Sequence, residues 1–513
     1  MPGTTAILIG TPQSVASVRC QLAFLAGTSR EVWPCGCIVL GGGDPARAGI
    51  ESLGELGQLP DIARWHRAEL AIVSLPASMT AERSRAVEAI TKAGLNVRFI
   101  PTIDDVLSDE APAVGGRGRS DVDVPALIGR TPRPGDPRRL DAVLRSRRVL
   151  ITGAGGSIGS ELARIAASRS PSELVLVERS ENALFEIDRE IGERFPGVNR
   201  RAVLHDIVDE SGTRELFEAV RPDVVFHAAA HKHVPLMEEH PAHALVNNFF
   251  GTRSVADAAV AAGASRFVLI SSDKAVNPSS VMGATKRLAE RYVQGLQPHS
   301  PGTRLSMVRF GNVLGSSCSV LPIWSSQLAA GRPITVTDER MTRYFMTIPE
   351  AASLVIQSAS IESAVEDPAR VFVLDMGEPV SIAGLARSFV RAHGLEPSGV
   401  ITFIGARPGE KLYEELAYDA EQLVPTAIEG VNSWAQAGEA RADLDAMVRD
   451  LSVARSVSGP ASKAAALESI RRHVPEMSPA MVRRSPAAPK PTRVVHPHQT
   501  VQPAAPIPGD AAA

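Results

Sequence analysis

The chain has 513 residues, a net charge of −3, and is 44% hydrophobic and 22% charged. This length allows about three domains, and the composition is that of an ordinary globular chain. The charge balance excludes the overall basic field of a nucleic-acid binder. Cys20, Cys35, Cys37 and Cys318 make no disulfide framework. No run reaches the ~18 apolar residues of a membrane span, and no basic-then-apolar signal opens the chain. The expected compartment is the cytoplasm.

Residues 1–112 alternate strand and helix patterns. Ala6–Ile9, Cys37–Leu40, Leu70–Ser74 and Val97–Ile100 predict strands, and Val15–Leu25 and Ala81–Ala93 predict helices. Such alternation predicts a parallel, doubly wound, Rossmann-like domain. Its glycine loop is degenerate: Gly10-Thr11-Pro12-Gln13-Ser14 lacks two of three glycines, and proline removes a backbone donor. This domain is expected not to hold a dinucleotide in the usual way. Cys35-Gly36-Cys37 has no second Cys/His pair at zinc spacing and reads as packing. Residues 113–146, rich in Gly, Pro, Arg and Asp, predict a linker. A second α/β domain is expected over 147–473, and a disordered Pro/Ala-rich tail over 474–513.

The second domain opens with Arg148-Val149-Leu150-Ile151-Thr152-Gly153-Ala154-Gly155-Gly156-Ser157-Ile158-Gly159, a strand entering a glycine loop that leads into a helix. Gly153 suits the tight turn, Gly156 lets a pyrophosphate approach beside Ser157 and Ile158, and Gly159 lets helix pack on strand. The next strand, Leu174–Val177, ends in Glu178, nineteen residues after Gly159, where an acid accepts ribose hydroxyls and favours NAD. Arg179 follows and could pair a 2′-phosphate, which leaves NADP open. Asp206 and Ile207 sit where adenine is contacted. After Val224-Val225-Phe226-His227, the small residues Ala228, Ala229 and Ala230 let a cofactor lie against the backbone.

Downstream, Ser272-Asp273-Lys274 ends the apolar run Arg266–Ile270, and Met282-Gly283-Ala284-Thr285-Lys286 stands where a dehydrogenase of this type carries Tyr-x-x-x-Lys. A thioether has no exchangeable proton, so Met282 cannot act as acid or base. Together with His231-Lys232-His233, Arg309-Phe310-Gly311-Asn312, Thr342-Arg343-Tyr344 and Arg407-Pro408-Gly409-Glu410-Lys411, these segments resemble the UDP-N-acetylglucosamine 4,6-dehydratases of polysaccharide biosynthesis. That family is a branch of the extended short-chain dehydrogenase/reductases with a small C-terminal substrate subdomain. The resemblance is dense over 146–420. The N-terminal domain is similar, more weakly, to the module preceding the catalytic domain in the family's long members, whose membrane helices are not expected in this sequence.

The resemblance implies a cycle in which NAD takes a hydride from sugar C4, water leaves across C5 and C6, and the hydride returns to C6. Asp273 is the implied acid and Lys274 the implied base, its pKa lowered by Lys286 and the positive nicotinamide ring. Lys286 would hold the nicotinamide ribose, and Ser272 would bond the 4-hydroxyl. Asp273 is also the candidate to take the C4 hydroxyl proton in the absence of a tyrosine. The long members carry methionine at this position too, so Met282 marks a subgroup, not a lesion. Lys232, Asn312, Arg309, Arg343 and Arg407 are candidates for the UDP-sugar, the arginines for its diphosphate.

His231 stands where the family often has tyrosine, and Cys318 replaces a usual glycine. No metal ligand set is expected, since His231 and His233 lack a third partner. A homo-oligomer is expected by resemblance. A 4-epimerase and a catalytically silent sugar-nucleotide-binding regulator are the alternative functions.

Overall fold

A computed structural model describes residues 4–24, 32–42, 44–76, 79–100, 102, 132–361, 369–393, 395–418, 423–435 and 441–477. The N-terminal unit is a four-stranded parallel sheet of β1 (Thr4–Gly10), β2 (Val32–Val39), β3 (Leu70–Ser74) and β4 (Asn96–Phe99), in the order β2-β1-β3-β4. The central strands β1 and β3 are apolar runs buried on both faces, as expected of a parallel sheet, while the edge strands β2 and β4 expose Trp33 and Arg98. Helices Pro12–Phe24, Leu59–His66 and Thr80–Ala93 connect them. Pro12 starts the first helix, and the Ser14 hydroxyl donates to the Ser74 carbonyl across the crevice between β1 and β3. Cys35 and Cys37 donate their thiols to the carbonyls of Ala6 and Ile50.

The second unit holds a nine-stranded sheet. Seven strands are parallel: β5 (Arg148–Thr152), β6 (Glu173–Glu178), β7 (Arg200–Leu204), β8 (Val224–His227), β9 (Arg266–Ile270), β10 (Arg304–Arg309) and the strand Arg370–Leu374. The order runs β7-β6-β5-β8-β9-β10 and then Arg370–Leu374, followed by antiparallel Val431–Ala435 and Val424–Pro425. Strand order reverses between β5 and β8, which opens a crevice at their C-terminal ends. Two apolar cores flank the sheet, one centred on Phe249, Phe267 and Leu288, the other on Leu162, Phe226 and Val355.

A smaller lobe covers the C-terminal edge. It pairs Ile334–Val336 with Ile401–Phe403 and Thr342–Arg343 with Val380–Ser381, around Trp324, Met341, Phe345 and Phe389. The N-terminal unit docks on this lobe, with Ala392 joining its core and Arg98 donating to the Ala392 carbonyl at 2.8 Å. The helix Val281–Leu296 is enclosed: Leu444, Met447, Leu451 and Ile470, from the helices Arg441–Ser456 and Ser462–His473, share its core.

Two boundary expectations need correction. Within the expected linker 113–146, residues 113–131 lie outside the described residues, but Pro137–Leu144 is a helix that buries Leu140, Val143 and Leu144 in the second core. Asp136 caps it, and Arg133 pairs with Asp375 at 2.7 Å. Gly and Pro suggested a loop, yet a Leu-x-x-Val-Leu stripe gives one helix face enough apolar surface to dock. At the other end, Val474 and Met477 of the expected tail are buried against the first core; residues 478–513 lie outside the described residues.

Candidate active site

The glycine loop turns sharply after β5. Gly153 has φ +68°, and a Cβ there would lie 2.7 Å from the Ala229 backbone nitrogen. A Cβ on Gly159 would lie 2.0 Å from the Gly153 carbonyl oxygen. The helix Ser157–Ser168 starts at Gly156 with no side-chain cap. Its first amides, from Ser157 and Ile158 onward, therefore face the crevice as an anion site. That uncapped end fits a dinucleotide pyrophosphate. Gly159→Ala is expected to destabilise the fold by about 1–3 kcal/mol through overpacking and to weaken dinucleotide binding at least tenfold by titration calorimetry.

Glu178 ends β6 and accepts from the amides of Gly155 (3.2 Å), Arg179 (2.9 Å) and Ser180 (3.2 Å). This anchors an acid beside the loop. Arg179 donates to Asn247 at 3.1 Å and reaches the His231 ring at 3.4 Å. Asp206 is exposed and Ile207 buried at the end of β7, and Ala228, Ala229 and Ala230 follow β8 directly.

Beneath them, His227 is fully enclosed between Thr152 (2.7 Å) and Thr252 (2.9 Å). The Thr252 hydroxyl donates to the Asn248 carbonyl, so it accepts from Nε2–H and leaves Nδ1 to accept from Thr152. Burial and then the Lys286 charge hold His227 down at about 3, which keeps it neutral. Asn248, in the π-helical turn Leu245–Phe250, bonds the His231 backbone and Thr285. Such turns recur at functional sites.

The proton chemistry gathers beyond β9. Ser272 caps the 3₁₀ turn Asp273–Ala275 and accepts from the Lys274 amide. The Asp273 carboxylate is completely buried. Its Oδ1 accepts from Ser272 at 2.8 Å and from Lys274 Nζ at 3.0 Å, and its Oδ2, facing Gly311, has no partner among the described residues. Burial pushes the Asp273 pKa up, and Lys274 only partly offsets this. Met282 and Lys286 lie one turn apart on the buried helix. Gly283 between them packs on the Lys274 carbonyl, where a Cβ would come within 2.1 Å. Lys286 Nζ donates to the Ile270 carbonyl at 2.6 Å, and burial holds its amine down at about 8 against the pull of Glu290.

Three expectations change. Lys274 is not held down: burial works against its charge, but Asp273 and Glu414 on either side push its pKa above the ordinary lysine value. In the resting site it is an ammonium. Arg309 is no diphosphate ligand. It is fully buried and grips Glu290 with Nε at 2.8 Å and Nη2 at 2.7 Å, under Tyr418 and Trp434. Arg343 is also turned inward, donating to the carbonyls of Thr342, Leu412 and Lys411. It ties the Arg407 loop to the small lobe.

Of the remaining substrate candidates, Lys232 and Asn312 border the glycine loop and the Asp273–Lys274 turn, while Arg407 lies on the surface. Lys232 donates to the Ser317 carbonyl at 2.7 Å, and the Ser317 amide bonds Ser157 of the glycine loop. Asn312 Oδ1 lies 3.3 Å from Lys274 Nζ. Arg407 is exposed and pairs with Glu410. Next to Ser317, Cys318 has φ +56°, a left-handed conformation that favours glycine. That is a physical reason for glycine at this position in the resembling family.

Sequence reading missed Glu414, buried beside Lys274, and the Thr152–His227–Thr252 chain. Glu414 is one of two adjacent glutamates in Lys411-Leu412-Tyr413-Glu414-Glu415, and nothing local says which turns inward. For His227 a signal existed: a histidine ending a strand that is buried throughout.

A parallel sheet with an uncapped glycine-loop helix at its crevice, a small lobe over its strand ends and a helix-borne lysine between them is the architecture of the extended short-chain dehydrogenase/reductases. Within that class the chain belongs to the polysaccharide biosynthesis protein family, whose sequence pattern matches residues 149–435. It is 41% identical over 370 residues to the capsular polysaccharide biosynthesis protein CapD of Staphylococcus aureus, a match covering 72% of this chain and 60% of CapD. Pen from Bacillus thuringiensis superposes with a TM-score of 0.52 at 32% identity, over 58% of this chain and 91% of Pen.

Two further relatives lie at similar distances. The UDP-N-acetylglucosamine 4,6-dehydratase (inverting) of Campylobacter jejuni is 30% identical, covering 53% of this chain and 78% of that enzyme. The UDP-glucose 4-epimerase of Rickettsia typhi is 32% identical, covering 53% of this chain and 77% of that enzyme. No helix among the described residues is long and apolar enough to cross a membrane.

Proposed function

We propose that the chain is an NAD-dependent nucleotide-sugar 4,6-dehydratase that converts UDP-N-acetylglucosamine or a close relative to a UDP-4-keto-6-deoxy sugar. The observation that carries this reading is the Asp273–Lys274 pair, 3.0 Å apart beyond β9 with its aspartate fully buried, beside a helix that offers Met282 in place of a hydroxyl. An epimerase needs redox chemistry at C4 alone and has no use for an acid/base pair serving C5 and C6.

The glycine loop, Glu178, Asp206, Ile207 and Ala228–Ala230 would hold the dinucleotide, with Lys286 toward its nicotinamide ribose. When bound, NAD supplies a hydride acceptor for C4 and the hydride returned to C6. The proton work belongs to the chain. In the resting site Lys274 is charged and Asp273 has a raised proton affinity. Transfer of one proton from Nζ to Oδ1 arms both residues at once. The Asp273 carboxylic acid then protonates the leaving C6 hydroxyl, and the Lys274 amine takes the C5 proton that the 4-ketone acidifies. Loss of water leaves Asp273 as carboxylate and Lys274 as ammonium. The ammonium returns its proton to C5 as C6 is reduced. The proton released to solvent from the C4 hydroxyl is matched by one from solvent that recharges Lys274, so the pair ends as it began. Arg407, exposed and paired with Glu410, would grip the diphosphate.

Mass analysis after incubating the chain with NAD and UDP-N-acetylglucosamine tests the reading. The expected product is lighter by one water. Unchanged mass with altered C4 stereochemistry would make the chain an epimerase, the activity named for its Rickettsia relative. Bound but unaltered sugar would make it a binding protein.

A further inference from the structure

Glu414 is 4% exposed. Its Oε1 lies 3.5 Å from Lys274 Nζ and 3.8 Å from Arg343 Nε, and its Oε2 has no partner among the described residues. A buried carboxylate with an unbonded oxygen is costly, and its segment does not need it for anchorage. Arg343 already holds the carbonyls of Lys411 and Leu412, Lys411 donates to the Val276 carbonyl at 3.0 Å, and Ser279 donates to the Gly409 carbonyl at 3.0 Å. Asn277 bonds Glu415, and Tyr418 donates to the Ala275 carbonyl. The loop is therefore stitched to the Asp273–Lys274 turn on both sides of Glu414, whose Oε1 is turned to the catalytic lysine and Arg343.

We propose that Glu414 is a positioning residue for the dehydration, acting through Lys274, whose Nζ it holds from the same loop that carries Arg407. The proposal rests on the dehydratase reading and adds a group to it. The charged and titratable groups around Lys274 are Asp273, Glu414 and Arg343. Those around Glu414 are Lys274, Arg343, Lys411 and Asp273. Asp273 also faces Tyr344. The cations Arg343 and Lys411, joined by the positive nicotinamide ring when bound, drive a proton off this turn, and two carboxylates retain it. Glu414 thereby keeps on Lys274 the one proton that arms the pair. Because that carboxylate sits seven residues after Arg407, binding of the diphosphate and placement of the lysine act on one segment.

Two readouts test this with the full chain and its Glu414→Gln and Glu414→Asp variants. The first needs no turnover. The sequence holds seven lysines, so ¹³C-labelled lysine resolves the Lys274 side chain by NMR, assigned with Lys274→Arg. Removing an anion 3.5 Å away is expected to lower the Lys274 pKa by about one unit or more in Glu414→Gln, and Glu414→Asp is expected to fall between. An unmoved pKa overturns the proposal.

The second readout is the pH profile of kcat and KM for water loss. In Glu414→Gln the alkaline limb is expected to move to lower pH, with kcat at least tenfold down at pH 8 and KM within about threefold. A uniform fall in activity with both limbs in place would show a structural role and overturn the proposal. A wild-type chain that forms no dehydrated product would instead overturn the dehydratase reading, while the NMR titration still decides whether Glu414 controls Lys274.

Discussion

Asp273→Asn is expected to leave a folded chain that forms no 4-keto-6-deoxy product, with kcat lowered by about 10²–10⁴-fold, the usual share of a general acid. The substitution keeps size and shape, so the Ser272 contact at 2.8 Å survives. Lys274 retains Glu414 and Asn312 as partners. Only the proton carrier is lost. The same change removes a buried carboxylate whose Oδ2 lacks a partner among the described residues and whose charge is opposed by burial. The melting temperature is therefore expected to hold or rise. Loss of activity without loss of stability identifies a group kept for chemistry. Calorimetry and product mass on one preparation check both halves, and retained turnover would sink the assignment.

The second large effect is on the fold. Arg309→Met leaves Glu290 charged and buried with Ser271 and the Arg287 edge as its remaining partners. Breaking such a buried pair from one side is expected to destabilise the chain by about 3–5 kcal/mol in denaturant titrations. The double variant Arg309→Met/Glu290→Leu should recover most of this, since no charge is then left alone. The sign with pH follows from Glu290. Burial raises its pKa, but Arg309 and Arg287 pull it below the ordinary carboxylate range in the native chain. Its contribution is therefore present above the unfolded carboxylate pKa and lost as pH falls. In Arg309→Met the remaining pull is too weak to offset burial, so the deficit should be largest near neutrality and shrink in acid. Weakened substrate binding at unchanged stability would instead restore Arg309 to the diphosphate.

That contrast shows what the sequence carried. Strands β1, β3, β5, β6, β8 and β9 were legible because their apolar runs are almost wholly buried. Strand β7, with three of five residues exposed, and the strands from β10 onward were not. The glycine loop was legible because each glycine answers a separate steric demand. The Asp273–Lys274 turn was legible from its place after an apolar run. The partners of the arginines were not. Arg309 and Glu290 stand nineteen residues apart on a strand and a helix, and only the packing of one on the other makes them a pair. Arg343 reads as a cationic ligand until the Lys411–Leu412 backbone is folded over it. The charge on Lys274 likewise depends on Glu414, a neighbour 140 positions downstream in the sequence.

The enclosure of the helix Val281–Leu296 has a consequence for how the protein is made. Tyr292, Val293 and Leu296 share their core with Leu444, Met447 and Leu451, about 150 residues later in the chain. A nascent chain that has already emerged through the whole glycine loop and the Asp-Lys turn still presents an apolar seam along the helix bearing Lys286. At ribosomal rates of about 5–20 residues per second, that seam waits roughly eight to thirty seconds for its cover. During that interval the helix exposes apolar surface of the kind that makes partly made chains prone to aggregate.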